Sequence, residues 1–86
     1  MDSNSLQTLN RETLLDRLAK AERNVAVGLE QIEKQEIVVA ELELYGGDSS
    51  IAKAVLSGLL ISQRLHENKR DQLRTEIDSF RWLQNA

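Results

Sequence analysis

His66 is the only histidine in the chain, and with Glu67 it begins the pattern by which some zinc proteases hold their metal on a helix. That pattern needs a second histidine four residues further on, so that both rings face the same ion. Arg70 occupies that position and brings a positive charge instead. The chain also has no cysteine, which removes thiolate ligands and thiol nucleophiles. We therefore expect no metal, no cofactor and no catalytic residue, and we predict a protein that is not an enzyme.

Two long helices are expected to position these side chains. The chain has no proline, only four glycines and one each of Phe, Trp and Tyr, a composition that favours helices over a β-sandwich or barrel. Gly46 and Gly47 can end a helix by adopting a positive φ, and Asp48 or Ser49 can cap the next one. We predict one all-α domain over residues 1–86, with a helix over about 5–45, a turn at 46–48 and a helix over about 49–83. So short a turn makes the helices antiparallel neighbours in a hairpin.

Apolar residues recur on each predicted helix at alternating spacings of three and four, which is the pattern of a coiled-coil seam. A few polar residues interrupt both seams. The seam positions are Leu14, Leu18, Ala21, Val25, Gly28, Ile32, Gln35, Val39 and Leu42 on the first helix, and Ala52, Leu56, Leu59, Gln63, His66, Arg70, Leu73, Ile77 and Phe80 on the second.

Three of the polar seam residues, Gln35, Gln63 and His66, have two open interpretations. They fix the register or the oligomeric state at some cost in stability, or they lie slightly off the interface and meet water. Folding the chain at Gly47 sets Gly28 opposite His66. A glycine inside a helix costs about 1 kcal/mol relative to alanine, so either Gly28 is simply tolerated or it permits a close contact. We predict the close contact.

The half of the hairpin next to the turn carries apolar residues beyond the seam, including a second stripe on the second helix at spacings of four, three and four. Exposed patches of this kind usually mark interfaces, and a two-fold dimer is the commonest closed assembly. We predict a homodimer in the form of an antiparallel four-helix bundle. The alternatives are a monomer whose twisted hairpin covers its own stripes, and a different protein bound to the same surface. The predicted interface residues are Ile37, Val38, Leu44, Ala54, Gly58, Leu60, Ile61 and Leu65.

The charge of the chain argues against some classes of partner. A net charge of −3 opposes nucleic-acid binding, which needs clustered positive charge. Apolar runs are far too short to span a membrane, and the N-terminus lacks the features of a signal peptide, so we expect a cytoplasmic protein. Residues 30–43 contain five acids and one lysine, whereas residues 64–74 contain four bases and two acids. Such runs are either ordinary solvated faces or complementary patches that orient an assembly.

Three blocks of sequence form a recognisable set. They are Val25-Ala26-x-Gly28-x3-Ile32-x2-Gln35, then Leu42 with Gly47-Asp48-Ser49 and Ala52, Ala54 and Leu56, and finally Gln63-x-Leu65-His66-x3-Arg70-Asp71-x-Leu73. The set resembles a family of short, functionally uncharacterised helical-hairpin proteins of bacteria, best represented in alphaproteobacteria. The resemblance covers about residues 23–77 and implies a fold without implying an activity. The chain differs in its longer N-terminal segment and in its Phe80–Trp82 tail.

These observations support two functional hypotheses. The first is a structural or interaction module that self-associates through its helical faces and presents them to a protein partner. The second is a small regulator, antitoxin-like or anti-sigma-like, that sequesters a single protein target. Trp82 is expected either to cover leucines near the N-terminus, Leu6, Leu9 or Leu14, or to anchor a partner.

Overall fold

A computed structural model describes the backbone of residues 3–85 and the side chains of residues 10–82. It consists of α1, Ser3–Leu44, and α2, Ser50–Asn85, which pack against each other along their length. The molecule measures 66 × 18 × 14 Å, as expected for helices that rise about 1.5 Å per residue. The prediction of an all-α helical hairpin is confirmed. Within the described residues, neither helix has a stretch long and apolar enough to cross a membrane.

The seam predicted from the heptad spacing is the core of the hairpin. Every predicted seam residue is buried or half-buried, and Leu73 is the most deeply buried large side chain. Two helices can bury only the stripe that each turns towards the other, so the core is one residue deep along the whole rod. Its buried apolar side chains are Ala21, Val25, Ile32, Val39, Ala52, Leu73 and Ile77.

α1 ends in a Schellman motif. Gly46 has a φ of +73°, the left-handed conformation that glycine adopts without steric cost. Its N–H donates to the Glu43 carbonyl at 3.3 Å, and the N–H of Gly47 donates to the Leu42 carbonyl at 2.8 Å. These two bonds satisfy carbonyl groups that the end of a helix leaves without partners. The chain therefore reverses sharply at Gly46.

α2 begins immediately after this reversal. The Asp48 carboxylate accepts a hydrogen bond from the Ser50 N–H at 3.0 Å, and the Ser49 carbonyl accepts the first helical bond, from the Lys53 N–H, at 2.9 Å. Asp48 thus satisfies one of the four N–H groups that have no partner inside a helix. The turn residues identified from the sequence perform the capping expected of them.

The side chain nearest to Gly28 is not the one predicted. The atoms closest to the place where a Gly28 Cβ would lie belong to the end of the Gln63 side chain rather than to His66. Gln63 lies about one helical turn before His66 on α2, and its long side chain reaches along the seam. The level of the two helices themselves agrees with the predicted fold at Gly47, since α1 ends at Leu44 and α2 begins at Ser50.

Candidate interaction surface

The acidic side chains and the histidine are dispersed over the two helices in the part of the chain that the structure describes. Among the residues that the structure describes, no three His, Asp or Glu side chains come close enough together to hold a metal ion. His66 is half-buried on the seam. Arg70 donates from Nε to Asp71 at 3.0 Å and is held in an ion pair with its own neighbour. The features that remain to be explained are polar groups within the seam and apolar groups outside it.

The Gln63 side chain fills a notch in α1 that a glycine creates. Gln63 is only 5% exposed, and its Nε2 donates to the Val25 carbonyl at 2.9 Å. Its Oε1 accepts no hydrogen bond and lies over Gly28, where a Cβ would overlap with it and would approach the Gln63 Cδ to 2.9 Å. Gly28 therefore leaves room for this amide, and any larger residue would make the end of the Gln63 side chain move.

A second glutamine makes the reciprocal contact nearer the turn. The Nε2 of Gln35, on α1, donates to the carbonyl of Ala52, on α2, at 3.0 Å. Each helix thus sends one amide side chain to the backbone of the other. A coiled coil can slide by whole heptads without exposing its apolar seam, but such a slide would break both of these bonds. The two glutamines hold the hairpin in a single register.

Two ion pairs join the helices along one edge of the seam. Lys53 contacts Glu43 at 2.6 Å and Arg74 contacts Glu22 at 3.4 Å. Each of these four residues directly follows a seam residue, which places all four on the same side of the seam. Their side chains are about half exposed, so solvent screens each pair and neither contributes much to stability. This edge is a solvated one.

Two carboxylates at the turn have lowered pKa values. The hydrogen bond and the positive charge of Lys53 lower the pKa of Glu43 below its ordinary 4.5, with a further contribution from a hydrogen bond to Ser49. Hydrogen bonds from the hydroxyl and the N–H of Ser50 lower the pKa of Asp48 below its ordinary 3.8. Both groups are exposed to solvent, and their shifts reflect the closure of the turn rather than any reactive site.

The apolar residues outside the seam remain uncovered in the hairpin. All eight predicted interface residues are exposed, so the twist of a single hairpin does not cover them. We call them, together with Tyr45, Ile51 and Val55, the turn-proximal surface. Two shallow grooves lie within it: one is lined by Val38, Glu41, Leu42, Tyr45 and Gly47, and the other by Leu60, Ile61, Arg64, Leu65 and Asn68.

Three members of the turn-proximal surface, Tyr45, Ile51 and Val55, are not among the eight predicted interface residues. Ile51 is 80% exposed, and Val55 is also exposed. Ile51 lies three residues before Ala54 and therefore continues the outer stripe of α2 by one position. The same three-and-four spacing that identified the stripe could have found it. Val55 directly precedes the seam residue Leu56, on the edge opposite the ion pairs.

Trp82 lies apart from the turn-proximal surface, at the other end of α2. Its side chain is 70% exposed, whereas Leu14 on α1 is half-buried in the seam. Most of the indole is therefore open to solvent. The predicted contacts of Trp82 with Leu6 and Leu9 lie outside the residues whose side chains are described.

Comparison with known proteins identifies no relative. No protein-family model, curated protein or solved structure matches the chain. The resemblance to bacterial helical hairpins stays a prediction.

Proposed function

We propose that the chain is a non-enzymatic interaction module that self-associates through its turn-proximal surface. The observation that carries this proposal is a set of large apolar side chains with no partner inside the hairpin. Ile61 and Leu65 are 65% and 64% exposed in the middle of a helix. Their apolar surface stays in contact with water, and burying it would be favourable in free energy. Soluble monomers rarely leave so contiguous an apolar patch open.

The small core of the hairpin supports the same proposal. A chain of 86 residues has little core to stabilise it, and this one buries a single stripe on each helix. Pairing two hairpins would turn the apolar residues outside the seam into a second core. The polar contacts within the seam meanwhile hold each hairpin in one shape, so that the same surface is always presented.

The mass of the protein in solution tests this proposal. In light scattering at micromolar concentration, we expect twice the 9.7 kDa of one chain. A mass of 9.7 kDa would reject self-association. The turn-proximal surface would then be left to a different protein, as in the regulator hypothesis.

A further inference from the structure

We infer that the two copies meet through α2, antiparallel, about a two-fold axis that passes close to Gly58. This inference rests on the proposed self-association and specifies its geometry. It rests on an apolar stripe on the outer face of α2. The large and small residues of this stripe fit against those of a second copy that runs in the opposite direction.

The stripe sets a small residue opposite a large one when it is paired with its own reverse. Ile51, Ala54, Gly58, Ile61 and Leu65 follow one another at spacings of three, four, three and four, which is a second heptad pattern on the side of α2 away from the seam. In an antiparallel pair centred on Gly58, Ile51 of one copy lies beside Leu65 of the other. Ala54 then lies beside Ile61, so a small residue faces a large one, and the two Gly58 residues meet at the axis.

Nothing within the hairpin explains why position 58 is a glycine. Its φ is not positive, and a Cβ added to it would meet no atom within 4 Å. A glycine in the middle of a helix costs stability relative to alanine. Glycine is used where another backbone must approach closely, and the centre of an antiparallel helix pair is such a place. The second copy would supply the neighbour that the hairpin lacks.

Charge complementarity favours the antiparallel direction. Asp48 and Lys69 are exposed, and neither has an ion-pair partner among the described residues. Asp48 lies in the turn, two residues before α2 begins, and Lys69 lies on α2, so that one of them stands beyond each end of the stripe. An antiparallel pair centred on Gly58 places the turn of each copy at the level of Lys69 of the other. The opposite charges of Asp48 and Lys69 therefore come to the same end of the contact, whereas a parallel pair would bring like charges together.

The exposed area is large enough for such a contact. The hairpin exposes 6626 Å², whereas a compact monomer of this mass exposes about 5,100 Å². The excess of about 1,500 Å² exceeds the roughly 800 Å² that each partner contributes to an interface of standard size. A contact between two copies of α2 along the stripe would therefore need no more area than this excess.

Cysteine crosslinking tests this geometry, because the chain has no cysteine of its own. We would prepare Ile51→Cys and Leu65→Cys as single variants and oxidise each alone and in an equal mixture. We expect a disulfide-linked dimer in the mixture and none with either variant alone. A disulfide requires Cα atoms about 4.4–6.8 Å apart, whereas copies of position 51 would lie about 21 Å apart along the helix axis.

The outcomes separate the inference from the function on which it rests. Linkage of Ile51→Cys with itself would show a parallel pair and overturn the inference. A dimeric mass under reducing conditions with no linkage in the mixture would overturn it too, because the contact would lie on another face. A monomeric mass would overturn the proposed function as well.

A pair of bulky substitutions provides a second test. Gly58→Leu adds a side chain at the proposed axis, and we expect the mass to fall to that of one chain. Ser79→Leu is the matched control, because Ser79 is exposed and lies three heptads from Gly58 on the same face, beyond the proposed overlap. We expect it to leave the dimer intact. A dimeric Gly58→Leu would overturn the inference.

Discussion

Gln63 is a buried amide on an otherwise largely apolar seam, and Gly28 explains how it fits. Its bond to the Val25 carbonyl and its orphan Oε1 have opposite effects on stability. A buried hydrogen bond contributes about 0.5–1.5 kcal/mol, whereas an unsatisfied acceptor costs about 1–3 kcal/mol. Gln63 therefore contributes little net stability. Its effect is to select one register, since no other alignment provides both the glycine notch and the carbonyl.

The notch can be tested by filling it. Replacing Gly28 with leucine would force the Gln63 amide out of its site, and overpacking of this kind costs about 1–3 kcal/mol. We expect a lower melting temperature for Gly28→Leu in thermal unfolding followed by circular dichroism. Ala26→Leu is the matched control, because Ala26 is exposed on the same helix, and it should change stability by less than about 0.5 kcal/mol. A Gly28→Leu protein that melts at or above the wild-type temperature would refute the notch.

At the scale of the elements, the short connection between α1 and α2 determines more than the direction of the chain. The Schellman closure at Gly46 sets the level at which α2 begins, and the Asp48 cap sets where its first turn forms. Glu43 at the end of α1 and Lys53 in the first turn of α2 then join the two helices. The turn and the seam glutamines therefore specify the same alignment independently.

The lowered carboxylate pKa values predict how the turn responds to acid. Glu43 and Asp48 have folded pKa values below those of the unfolded chain, so their contribution to stability is fully present above the ordinary values of 4.5 and 3.8. It is lost as the pH falls through the lower folded values. We expect the free energy of unfolding to decrease over this acidic range, as measured by urea denaturation at a series of pH values.

A double variant isolates this effect from the other acids. Glu43→Gln with Asp48→Asn keeps hydrogen-bond acceptors at both positions but removes their titration. Its stability should therefore fall less steeply with acid than that of the wild type. Equal slopes for the two proteins would contradict the assigned pKa shifts.

The helices and their seam could be predicted from the sequence, whereas the neighbour of Gly28 could not. Heptad spacing and the Gly46-Gly47-Asp48 turn identify both helices and the residues buried between them, because burial follows from periodicity. Periodicity gives the level at which a residue lies, but it does not give how far its side chain reaches along the seam. The long Gln63 side chain therefore occupies the space over Gly28, which the pairing of levels assigns to His66.

At the scale of the whole molecule, the hairpin is an unusually open structure for its size. Its helices bury one stripe each, and the described apolar residues outside the seam are concentrated towards the turn, although a few, including Leu15, Val27, Leu29 and Trp82, lie elsewhere. The two ion pairs between the helices occupy one edge of the seam, while Val38 and Val55 lie on the opposite edge beside the outer stripe of α2. The molecule is therefore two-sided, with one edge suited to water and a surface suited to contact with another protein chain.

The most direct test of self-association through the turn-proximal surface is the light-scattering mass of Ile61→Glu beside that of Thr75→Glu. Both positions are exposed and occupy the same heptad position on α2, but only Ile61 lies on the turn-proximal surface. A buried, unpaired charge is costly enough to separate two copies, whereas a charge in water is not. We predict 9.7 kDa for Ile61→Glu and twice that mass for Thr75→Glu and the wild type. An Ile61→Glu protein that keeps the mass of two chains would contradict the account.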